Sequence, residues 1–323
     1  MHTVRPAAVA GAFYPGREAA LSSTVLSLLE DAESSADSHA GVPKAIIVPH
    51  AGYIYSGATA ALAYARLSPA RARIRRVVLI GPVHRVPIRG IALPGAHAFA
   101  TPLGEIAIDL DAVAALSGLP QIVTSAIAHA REHSLEVQLP FLQSALDDFK
   151  LLPLAVGDAR PEDVALVLET LWGGDETLIV VSSDLSHFLP YGTAQSVDRE
   201  SARQIMDLRA GLTHEQACGG TPVNGLLLTA RQHHLEPQLL GLCNSGDTAG
   251  DKERVVGYAA FAFIEPCGTD RSYAQRAGSV PNASSNTGSP PCGTDRSVAA
   301  RASSALNTSL DAGGLPGVAP YVH

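Results

Sequence analysis

Three apolar runs in this chain stop at a histidine. IIVPHAG ends in His50, LIGPVHR in His84, and VVSSDLSH supplies Asp184 and His187. Neutral imidazoles suit zinc, copper, iron and nickel, and two of them with one carboxylate leave open positions where a substrate or dioxygen can bind. One histidine at the end of a buried strand reads more readily as a core residue than as a ligand. Three at the same topological place point to a shared site. The missing ligand is sought in CNSGDTAGD (243–251), where Asp247 is the first candidate and Asp251 and Cys243 are rivals. An ordinary turn between two strands would have the same composition, and a cysteine ending the apolar PQLLGLC also suits a small buried hydrophobe.

Two further stretches carry polar groups of interest. AREHSLEVQLP (130–140) places Glu132 and His133 just before a helix, where His133 could orient a substrate or support the site, or simply belong to the helix start. In SSDLSH, Asp184 precedes His187 by three residues, so it could accept a hydrogen bond that fixes the imidazole tautomer and leaves the other nitrogen for proton transfer. Ser182 and Ser183 lack a GxSxG elbow, which disfavours a serine hydrolase.

The elements that must position these groups alternate. KAIIV (44–48) is a short β-branched run without alternation, as in a strand covered on both faces, and RRVVLIGPVH (75–84), KLLPLAV (150–156) and TLIVVSSDLSH (177–187) are further apolar runs read as strands. Helical spacing appears over 20–33, 57–67 and 161–172, and again in SVDRESARQIMDL and NGLLLTARQHH. IRGIALPG and GEIAIDLD read as shorter strands, SLEVQLPFLQSALDD (134–148) as a helix bent at Pro140, and PQLLGLC and RVVGYAAFAFI as closing strands. Strands alternating with helices predict an α/β fold with a doubly wound, largely parallel sheet flanked by helices. In such a sheet the carboxyl ends of the strands share one edge, where His50, His84 and His187 can converge.

Composition narrows the function classes. With 23 Lys and Arg against 31 Asp and Glu, a net charge of −8 and no basic cluster, neither nucleic acid nor an anionic membrane is an expected partner. No apolar run reaches the ~18 residues of a membrane span, and MHTVRPAAVAGAFYP is no secretory signal, so a cytoplasmic protein is expected. The four cysteines form no CxxC pair and are expected to be reduced. One domain is expected over 1–265. Residues 266–323 turn to Ser, Ala, Gly, Pro and Asn and repeat PCGTDRS at 266–272 and 291–297, the composition of a disordered tail.

Taken in order, VAGAFYP, PHAGYIYSG, GPVH, TPLGE, EHSLEVQLPFLQ, SSDLSHF, CGGTPVNGLLL and GDKERVVGYAAFAF resemble the Memo family, called AmmeMemoRadiSam system protein B in bacteria and archaea. The match spans about residues 5 to 264. It implies a fold similar to the class III extradiol (LigB-like) dioxygenases, in which two histidines and a carboxylate hold non-haem iron and a further histidine acts as acid/base. Carried onto this chain, the resemblance implies His50 and His84 as ligands and His187, with Asp184 beside it, as acid/base. Animal members place a cysteine at the third ligand, and registering GYAAFAF puts Asp247 there. A carboxylate favours iron(II), whereas a thiolate would favour copper(I) or zinc. The implied activity is a metal-dependent oxidoreductase acting on a small organic substrate. The alternative is a cleft that binds a peptide or a partner, among them a radical-SAM enzyme and a third system protein.

Overall fold

The apolar runs form the strands assigned to them. In a computed structural model describing residues 2–35 and 41–266, the strands are β1 (Val4–Arg5), β2 (Ala45–Val48), β3 (Arg76–Pro82), β4 (Ile91–Leu93), β5 (Ala98–Thr101), β6 (Gly104–Ala107), β7 (Ile122–Thr124), β8 (Lys150–Val156), β9 (Thr177–Ser182), β10 (His187–Leu189), β11 (Glu236–Asn244) and β12 (Val255–Ile264). Between them lie helices α1 (Glu18–Ser35), α2 (Tyr53–Ala65), α3 (Leu110–Ala115), α4 (Ala126–Ala130), α5 (Leu139–Ala145), α6 (Pro161–Thr170), α7 (Tyr191–Met206) and α8 (Gly220–Gln232). Contacts within the chain gather the described residues into one unit. The expectation of a disordered tail falls, from residue 267 onward, outside the described residues.

The large sheet runs β10-β12-β2-β9-β3-β8-β4-β7, with β11 also on β12. Its centre, β2-β9-β3-β8, is parallel throughout. β12 joins β2 antiparallel, as β4 joins β8, so antiparallel strands extend a doubly wound parallel core. Alternate residues of each central strand bury themselves on opposite faces. Ile46, Val48, Val77, Leu79, Leu178 and Val180 pack with Leu21 and Val25 of α1, Tyr64 of α2 and Phe141 of α5. Ile47, Val78, Ile80, Ile179 and Val181 pack with Val167 of α6, Ile205 of α7 and Leu226 of α8. Helices therefore cover both faces, which is why the strands are apolar without alternation. β1, β5 and β6 form a separate small sheet.

Local departures from the expected elements have physical causes. Pro140 does not bend a long helix but sits in the first turn of α5, after a 3₁₀ turn at Glu136–Gln138, where its fixed φ and missing N–H cost nothing. GEIAIDLD is divided: β6 ends at Ala107, and Asp109 caps α3 by accepting from Ala112 N–H. No helix among the described residues is long and apolar enough to cross a membrane.

Where α8 crosses α6, the two backbones approach through Gly225, and an added Cβ would collide with the Val164 side chain and lie 3.1 Å from Pro161 O. Gly225→Val overpacks this crossing at an expected cost of ~2–3 kcal/mol. That is a fall in Tm of roughly 4–12 °C by calorimetry. An unchanged Tm would mean the two helices can separate freely.

Candidate metal centre

Two central strands deliver a histidine each to the same edge. β2 and β3 flank β9, so His50, just past Val48, and His84, just past Pro82, emerge on either side of Ser182 at the end of β9. Their ring centroids are 5.2 Å apart. A third imidazole, His133, comes from the loop between α4 and Glu136–Gln138; its ring lies 5.3 Å from that of His50 and 4.6 Å from that of His84. Ser134 ties this loop to the sheet edge, donating from Oγ to Pro82 O (2.8 Å) and accepting at its carbonyl from Ser182 Oγ (2.6 Å). One nitrogen of each histidine lies within 4.8 Å of the others, and among the described residues this is the group of three placed to share an ion.

Hydrogen bonds around the cluster decide where the ring protons lie. Ser182 Oγ spends its proton on Ser134 O and accepts from Gln138 Nε2 (2.9 Å). Its contact with His50 Nδ1 (2.8 Å) is therefore with an N–H, which leaves the His50 lone pair on Nε2. For His84 the partner is Glu132, whose Oε1 lies 2.9 Å from Nδ1. A carboxylate only accepts, so Nδ1 carries the proton and Nε2 is free. Ligand imidazoles held in this way are oriented and made more basic. His133 Nδ1 is buried without a hydrogen-bond partner, 3.2 Å from Glu132 Oε1 but out of line with it.

Electrostatics act on His50 and Glu132 in opposite ways. Burial, followed by the charges of His84 and His133, holds His50 well below the ordinary 6.5, so its ring is neutral, the form a metal requires. Burial alone would raise Glu132, but its contacts with His133 and His84 outweigh that and hold it well below the usual carboxylate range. Three converging imidazoles, His50 and His84 each with Nδ1 tied to an outer partner and His133 with an orphaned Nδ1, fit a transition-metal ion.

The sequence profile of Memo-like proteins matches residues 5–262. The chain belongs to the Memo family. Similar relatives include MEMO1 family proteins from Aquifex aeolicus (36% identical over 273 residues, 81% of this chain and 99% of that one) and Methanosarcina barkeri (34% over 276 residues, 80% and 99%). Another, from Metallosphaera sedula, is 34% identical over 233 residues, 68% of this chain and 82% of its own.

In this Memo-family chain the group around His50 and His84 is completed by His133, not by Asp247. The Asp247 carboxylate is engaged in its own turn, Ser245–Asp247, where it accepts from Asn244 N–H (3.0 Å) and from the Tyr191 hydroxyl. Asp251 likewise accepts from Glu253 and Arg254 N–H groups. Cys243 Sγ contacts Thr59 Oγ1 at 3.1 Å. Asp184 is buried, but it accepts from the His50 backbone N–H (2.7 Å), so it orients the His50 loop, and no hydrogen bond among the described residues joins it to His187. Burial raises its pKa, with the nearby His187 charge opposing. His187 itself is half-buried in β10.

One neighbour was missed. Cys218 lies just before α8, with Sγ 3.3 Å from His50 Nε2 and 3.7 Å from Asp184 O. Burial, then the Asp184 charge, pushes its thiol pKa up. The available signal was CGG at a helix start, since a thiol there gains from the helix dipole once it ionises.

Proposed function

We propose that this Memo-family chain is a metal-dependent oxidoreductase in which His50, His84 and His133 hold iron(II). The observation carrying this reading is the proton inventory: Ser182 and Glu132 occupy the outer nitrogens of His50 and His84, so both Nε2 atoms carry lone pairs, and an ion at His50 would take the place of the Cys218 thiol, whose Sγ lies 3.3 Å from that Nε2. Imidazole donors suit iron among the first-row metals, and bound iron(II) would supply open positions and electrons for oxygen chemistry. The residues do the rest. Side-chain exposure is 27% for His84 and 16% for His133, so a small organic substrate approaches from their side while His50 stays inside. His187, close enough for its charge to act on Asp184, moves the proton. Cytoplasmic residence accords with this role.

Cys218 bears on the metal. As a neutral thiol it leaves an all-imidazole set, which accepts iron as well as zinc, copper or nickel; as a thiolate ligand it would favour copper(I) or zinc. The test is anaerobic loading with Fe(II), Cu(I) or Zn(II), followed by metal analysis of wild type, Cys218→Ser and His187→Ala. Cys218→Ser should keep its iron, and His187→Ala should keep the metal while oxygen-dependent turnover falls roughly 100-fold or more. Loss of metal from Cys218→Ser would move the assignment to copper or zinc. Loss from His187→Ala would make His187 a ligand.

A second reading is favoured by two exposed apolar side chains close in sequence to the histidines: Ile54, four residues after His50, is 71% exposed on α2, and Phe188, beside His187, is 57% exposed with a left-handed backbone (φ 58°). A peptide or partner protein, a radical-SAM enzyme among them, would cover these side chains. Failure of wild type to retain any of the three metals would favour it.

A further inference from the structure

The N-terminal arm belongs to the centre as well as to the small sheet. Arg5, in β1, is buried at 6% exposure. Its guanidinium donates from Nε to His129 O (3.0 Å) and from Nη2 to Glu132 O (2.8 Å), and its Nη1 meets the Glu136 carboxylate. Those acceptors bracket the loop bearing Glu132 and His133. Glu136 is fully buried and also accepts from Ala8 N–H (2.8 Å), Val9 N–H (3.0 Å) and the Tyr14 hydroxyl (2.5 Å). Farther along the arm, the Phe13 ring packs 4.8 Å from that of His133, and Phe13 O accepts from Tyr53 N–H (2.8 Å) at the start of α2.

Resting on the metal reading, we propose that Arg5 is a positioning residue of the centre, holding His133 and Glu132 in register with His50 and His84 through the His129 and Glu132 carbonyls. The planar fork explains why an arginine stands here. It satisfies two carbonyls and a carboxylate in fixed directions at once, which a single ammonium on a flexible stem does not. The Glu132 carbonyl is the backbone of the residue whose side chain orients His84, and the next residue is His133. Displacing that carbonyl shifts both. A merely structural role is the competing account, because a buried arginine–glutamate pair stabilises a fold wherever it occurs and breaking it is costly.

Cobalt(II) titration of the full chain separates the two, with visible absorption reporting coordination and calorimetry reporting Tm. Arg5→Lys keeps a positive charge beside Glu136 but loses the fork, so Co(II) affinity should fall roughly 10-fold or more and the cobalt bands should shift, with a modest fall in Tm. Glu136→Gln leaves both carbonyl bonds in place but strips the buried Arg5 of its charge partner. It should show the larger fall in Tm and keep Co(II) affinity within about 3-fold, since the groups around the ion are untouched. Should Glu136→Gln fail to fold, Tyr14→Phe, which removes one Glu136 contact, is the milder stability control with the same expectation. Wild-type affinity in Arg5→Lys, or affinities that follow Tm across all variants, would overturn the proposal. A wild type that takes up no cobalt at all would overturn the metal reading, and this inference with it.

Discussion

His50→Ala and His84→Ala are each expected to lose stoichiometric metal, with Kd rising roughly 100-fold or more, about 2.7 kcal/mol. Each substitution removes one of the two donors whose lone pair is aligned by an outer hydrogen bond. Neither remaining pair of histidines can replace it, because the next nitrogen donor would have to come from outside the group of three. His50→Ala also empties a fully enclosed position and frees Ser182 and Cys218, so part of its effect is a loss of stability. His84 is part-exposed, so there the loss should fall mainly on metal. Asp247→Ala is the contrast. It removes a turn contact to Asn244 and Tyr191 and should leave metal content within about 2-fold, since no group around the ion changes. Inductively coupled plasma analysis after Fe(II) loading checks all three. Iron retained by His84→Ala but lost by Asp247→Ala would restore the carboxylate to the centre.

His50 and His84 were legible because they end parallel strands, and parallel strands place their carboxyl ends on one edge whatever the loops do. The two-faced sheet was legible for a related reason: strands buried on both sides have no polar residues to interrupt them. His133 was visible as a residue but not as a member of the group, because its position depends on a loop. That loop is placed by Ser134, Arg5 and Glu136, through partners about 50 to 130 residues away in sequence. Asp247 drew attention for its glycine-bearing surroundings, which a capping turn requires as much as a metal loop does. Cys218 carried only the weak signal of a helix start, and its approach to His50 depends on how α8 lies against β9, where Gly219 N–H reaches Ser183 Oγ at 3.0 Å. Periodicity sets which face of an element is buried. It does not set the meeting of loops.

Glu132→Gln tests whether one carboxylate organises the centre. Glu132 Oε1 accepts from His133 N–H (2.9 Å) and Ser134 N–H (2.9 Å) and meets His84 Nδ1, while Oε2 accepts from His84 N–H (2.6 Å). Every partner is a donor, so an amide cannot substitute in either orientation, since one of its ends would set an NH₂ against an N–H. The side chain is 1% exposed, which denies the misfit any water. Metal affinity should fall roughly 10- to 100-fold, as for loss of an outer partner of a ligand, and stability by ~2–4 kcal/mol, a Tm lower by roughly 5–15 °C. A pH signature separates this from generic damage. Because the folded-state pKa lies well below the ordinary 4.5, the carboxylate contributes its full stability above that value and loses it as pH falls toward the folded-state pKa. Metal-free wild type should therefore lose stability as pH falls below about 4.5, and Glu132→Gln should lose less over the same range, so the two curves converge in acid. Parallel curves would mean that the charge of Glu132 does not hold the loop, and His133 would then owe its position to Arg5 and Ser134 alone.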